Sequence, residues 1–155
     1  MKRVLVILGL ILLIASQVFA AGSAVITKGD ILVMNYVQRK VLTIAITAGT
    51  SGAFTDSTIN ASTYQITGWY LYSVETIPGV SVPPGAAYTI TLKDADGLDL
   101  AAGLLSSRST TATELINIGN SAYGYPMVRG NLTLGISGLT TTAATTTIRI
   151  TFVAQ

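Results

Sequence analysis

The sequence contains no histidine and no cysteine, and only 10% of its residues are charged. Without histidine it has no ready general base near neutral pH, no Ser-His-Asp triad and no imidazole for a transition metal. Without cysteine it has no disulfide framework, no thiolate nucleophile and no thiol for lipid attachment. None of Lys28, Lys40 or Lys93 lies three residues after a serine, so the Ser-Lys nucleophile pattern is missing as well. Glycine-rich phosphate loops are also absent. An enzyme is therefore the least favoured class, and the chain is expected to work without a cofactor.

One-sided charge is lacking too. Nine Lys and Arg face seven Asp and Glu, and setting aside Lys2 and Arg3 leaves seven of each. A neutral remainder without a basic run gives no electrostatic footprint for nucleic acid or anionic lipid. Lys2 and Arg3 belong to a different signal: a positive start, an apolar run from Val4 to Ile14 broken only by Gly9, and small or branched residues at Val18-Phe19-Ala20. Those three parts are what an export machinery reads. Residues 1–20 are thus expected to be a signal peptide, and 21–155 a single exported domain in the periplasm, at the cell surface or outside the cell. After cleavage nothing would hold it to a membrane. The alternative is an uncleaved anchor, which Ser16 and Gln17 weaken.

Half of the residues are apolar, enough for one sizeable core. They recur mainly with a period of two. Tyr88, Ile90 and Leu92 alternate with Thr89, Thr91 and Lys93 before a tight turn at Asp96-Gly97, from which a second strand is expected to start. Leu42, Ile44 and Ile46 alternate in the same way, as do Leu132, Leu134 and Ile136, and Ile148, Ile150 and Phe152. Upstream, Ala24 to Thr27 and Ile31 to Val37 read as two short strands around a Lys28-Gly29-Asp30 turn, and the charge in Gln38-Arg39-Lys40 reads as a break. Ala48 to Ser62 reads as a long loop with Phe54 under it. Tyr64 to Ile77 reads as one long strand, with Tyr64, Ile66, Tyr70, Tyr72 and Val74 on one face and Trp69, Leu71 and Glu75 on the other. Gly68 marks a candidate bulge there. The run from Thr113 to Ile118 fits either a helical turn or a strand. Short strands with no long helix beyond the N-terminal segment predict an all-β, antiparallel β-sandwich of jelly-roll or immunoglobulin-like type.

Two groups of residues carry chemistry of interest. Asp94, Asp96 and Asp99 surround a glycine turn and offer hard oxygens to calcium, although the EF-hand spacing is incomplete and a solvated turn explains the same residues. Trp69, Tyr70, Tyr72, Tyr123 and Tyr125 are large amphipathic rings, either core or a ligand or interface surface.

The segments Val74-Glu-Thr-Ile-Pro-Gly79, Tyr88 through Asp99, Gly103, Arg108-Ser-Thr and Gly130-Asn-Leu-Thr-Leu134 resemble a group of small proteins encoded among tailed-phage and prophage head and tail genes. The resemblance covers roughly the C-terminal half. It implies a virion structural component without established activity, and no functional residue is carried over from it. Virions assemble in the cytoplasm, so the resemblance points to a virion where the N-terminal segment points to export. The sequence is thus expected to encode a non-enzymatic structural or interaction subunit that associates with itself or with other structural proteins. The alternative is a secreted module binding carbohydrate or a cell surface through exposed aromatics.

Overall fold

Alternation of apolar and polar side chains buries one face of a strand and wets the other, and this chain uses it to build two layers. The computed structural model describes residues 21–34 and 37–154; residues 1–20, expected from the sequence to be a signal peptide, lie outside them. The strands are β1 (Ser23–Met34), β2 (Val37–Thr47), β3 (Ser57–Ile59), β4 (Tyr70–Pro78), β5 (Thr89–Lys93), β6 (Glu114–Asn117), β7 (Leu132–Ser137) and β8 (Thr145–Val153). One sheet has the order β1-β2-β8-β4-β6 and the other β3-β7-β5, with every pairing antiparallel. The fold is a β-sandwich.

From β2 onward each strand crosses to the opposite sheet, and β8 is inserted between β2 and β4. That order is a jelly roll and not the immunoglobulin arrangement. A jelly roll has a further strand beside β5, and here it is reduced to a short segment. The Ile90 N–H donates to Leu105 O at 3.0 Å and the Arg108 N–H donates to Tyr88 O at 2.7 Å, without a continuous ladder.

The core lies between the sheets. Leu42, Ile150 and Val74 are register partners across β2, β8 and β4, and all are fully buried. Opposite them lie Ile90, Leu92, Leu132 and Leu134, also closed to solvent. Each such side chain contributes about 1.5–3 kcal/mol on leaving water.

Several expectations change. Ala24 to Thr27 and Ile31 to Val37 do not form two strands. β1 is continuous to Met34, and Lys28-Gly29-Asp30 is a bulge after which pairing resumes at Ile31 and Lys40. A Cβ at Gly29 would meet Val41 O at 2.7 Å, so only glycine lets the backbones pass this closely. Nor does Gln38-Arg39-Lys40 break the chain, because β2 begins at Val37 and carries the ladder through it. The Ala48 to Ser62 loop contains a 3-10 turn and β3, with Phe54 half-buried against the core.

The aromatic run is also not one strand. Residues 61–69 are turns, held by Tyr64 N–H to Asn60 O and Ile66 N–H to Ala61 O, and they bury Ala61 and Ile66. β4 then starts at Tyr70, and its bulge lies between Leu71 and Ser73, not at Gly68. The extra residue shifts the parity. Leu71, Val74 and Thr76 are buried, while Tyr70, Tyr72 and Glu75 are only half-buried. The turn after β5 has Gly97 at φ +82°, as expected, but the returning chain forms one bridge, Lys93 to Asp99, and no second strand. Residues Glu114–Asn117 form a strand and Ile118–Asn120 a 3-10 turn.

Candidate functional site

Two of the three acidic side chains are occupied by backbone. Asp94 Oδ1 accepts from the N–H groups of Asp96 at 3.0 Å and Leu98 at 2.9 Å. Asp99 accepts from Leu92, Ala101 and Gly103. A side chain that satisfies the backbone donors of its own turn stiffens that turn. Among the described residues no three acidic side chains are placed to hold a metal ion. The structure therefore makes Asp94 and Asp99 struts and leaves Asp96 on the surface.

The five aromatic side chains are divided among four places. Trp69 packs against the core edge, with Lys40 Nζ 4.3 Å from its ring centroid. Lys40 itself is only 1% exposed, and its ammonium donates to Gln65 O. Tyr72 stacks on Tyr125 with centroids 5.2 Å apart and planes 14° from parallel, and Arg39 lies 5.4 Å from the Tyr72 centroid. Tyr70 sits at the start of β4, half-buried, in register with Val153 and bridged to Met127. Tyr123 stands apart from the others and is half exposed.

Tyr123 and the acidic turn are brought together. They face each other across a cleft of about 340 Å³ between residues 94–100 and 123–130, with Leu98, Met127 and Arg129 also lining it. The aromatic wall is fixed by backbone. Leu71 N–H donates to Pro126 O at 2.9 Å, Gly68 N–H to Val128 O at 2.8 Å and Val128 N–H to Trp69 O at 2.8 Å, so residues 126–128 extend the large sheet beside the start of β4. Met127, Arg129 and Leu98 were not singled out by sequence, because each lies in a loop without periodicity. Lys40 was missed although a signal existed, since it shares the parity of Leu42, Ile44 and Ile46.

Arg108 pairs with Tyr88 through the backbone, donates twice to Ser106 O and lies 3.5 Å from Glu114. No protein-family model, curated protein or solved structure matches this chain.

Proposed function

We propose that this chain is a non-enzymatic structural or interaction subunit, virion-like in kind, that associates with itself through the open rim of its larger sheet. One observation carries the reading. β1 runs for 12 residues along the rim, pairs with β2 on one side and has no strand on its other side among the described residues. Such an edge offers a row of unpaired N–H and C=O groups to another strand. Val25 on that strand is 64% exposed. The near-neutral charge of the domain adds little repulsion between copies.

Jelly rolls recur in viral capsid and lectin domains, which agrees with the resemblance at the level of fold analogy alone. Action in a virion or at an exported surface belongs to this proposal. Light scattering of the purified protein across a concentration series tests it. A closed oligomer or a growing polymer, reduced to monomer by Val25→Lys, is the expected result. A monomer at every concentration would overturn self-association.

A further inference from the structure

We propose that the cleft between the acidic turn and the Tyr123 loop is a binding site for one ring of a neutral saccharide. This inference stands apart from self-association and does not depend on it. Among the described residues, eight large apolar side chains are exposed, and three of them, Leu98, Tyr123 and Met127, line this one cleft. Scattered exposed apolar groups need no explanation, but their concentration around a concavity marks a contact site.

The walls are fixed before any ligand arrives. On one side Asp94 holds the N–H groups of Asp96 and Leu98, and Asp94 N–H donates to Leu98 O at 3.0 Å. On the other, Ser121 Oγ donates to Gly124 O at 3.0 Å and accepts from Tyr123 N–H at 3.3 Å. A preformed site loses less entropy on binding.

Charge selects the ligand class. Asp94 and Asp96 stand on one wall and Arg129 on the other, and Arg129 makes no ion pair among the described residues. An anion would meet the carboxylates and a cation the guanidinium. A neutral polyol suits both, because its hydroxyls donate to carboxylate oxygens and accept from guanidinium N–H groups. The apolar face of a pyranose then has the Tyr123 ring to lie on. The volume, about 340 Å³, is at the small end of ligand sites and accommodates a single ring or a disaccharide.

The test is an amide NMR titration of the full chain with methyl glucoside, methyl galactoside, N-acetylglucosamine and disaccharides of the same sugars, with glucuronate and glucosamine as charged counterparts. The expected result is saturable shifts confined to residues 94–100 and 121–130, strongest for a neutral probe. Affinity falls at least about tenfold in Tyr123→Ala and in Arg129→Ala, a loss of about 1.4 kcal/mol each. Both side chains are exposed, so an unchanged spectrum elsewhere shows that the variants fold. The proposal is overturned by the absence of saturable shifts with every neutral probe, by shifts that map elsewhere, by binding that survives Tyr123→Ala, or by tighter binding of glucuronate or glucosamine.

Discussion

The Tyr88 hydroxyl donates to Thr146 Oγ1 across 3.0 Å in the buried space between the two sheets. The direction follows from the next bond, because Thr146 spends its single proton on Ile77 O at 3.1 Å. Tyr88 adjoins β5 in the smaller sheet and Thr146 belongs to β8 in the larger, so a polar chain ties the two layers. Buried polar groups fix a unique arrangement when they are satisfied. Tyr88→Phe should lower stability by about 1 kcal/mol in urea unfolding, the usual worth of one such bond, without changing the fold.

The same tyrosine sets a pH dependence. Burial disfavours the phenolate and raises the Tyr88 pKa above its ordinary 10.0. Above that value the unfolded chain loses a proton that the folded chain keeps. The folded state then binds more protons, and stability falls as pH rises. Below the ordinary value the residue contributes its full stabilisation and no slope. Urea midpoints from about pH 8 to about pH 11 should decline less steeply in Tyr88→Phe than in the parent. Equal slopes would show that Tyr88 does not retain its proton.

Period-two alternation made the core strands legible. Leu42, Ile44, Ile46, Leu132, Leu134, Ile136, Ile148, Ile150 and Phe152 are all buried as their parity requires. What the sequence hides is any departure from that period. One inserted residue at Tyr72 exchanges the faces of a strand, and no residue type there announces it. Gly29 reads equally as a turn or a bulge, and only the opposing Val41 carbonyl decides. The cleft joins loops some thirty residues apart through the pairing of residues 126–128 with the start of β4, a long-range contact that local pattern does not encode.

Ile150 tests the central row of the core. It is fully buried between Leu42 and Val74. Ile150→Val should cost about 0.5–1.5 kcal/mol and leave a folded protein. Ile150→Asp places an unpaired charge there, at several kcal/mol against a total margin of about 5–15, and should abolish the folded circular-dichroism spectrum. A soluble, cooperatively melting Ile150→Asp protein would refute the burial of β8.

Gly119 controls the Tyr72–Tyr125 stack. A Cβ at Gly119 would lie within 2.3 Å of the Tyr125 ring, so Gly119→Ala must push that ring aside. The loss should be about 0.5–1.5 kcal/mol, the worth of a favourable aromatic pair. Near-ultraviolet circular dichroism should weaken in the tyrosine region, and Tyr125→Leu should reproduce it. Retention of that signal in Gly119→Ala would mean that the ring is not seated against residue 119.

Asp99 distinguishes a strut from a metal ligand. Its two oxygens accept three backbone N–H groups, from Leu92, Ala101 and Gly103, and thereby hold the chain where it turns away from β5. Asp99→Ala leaves those donors without that partner and should cost about 2 kcal/mol, because bonds to a charged acceptor are worth more than neutral ones. Asp99→Asn keeps one acceptor oxygen and should cost less. If the carboxylate serves only the turn, millimolar calcium will leave the melting temperature of the parent protein unchanged, since a ligand stabilises only the state that binds it. A calcium-dependent rise that disappears in both variants would instead make Asp94, Asp96 and Asp99 a cation site, with the backbone bonds of Asp99 yielding to the metal.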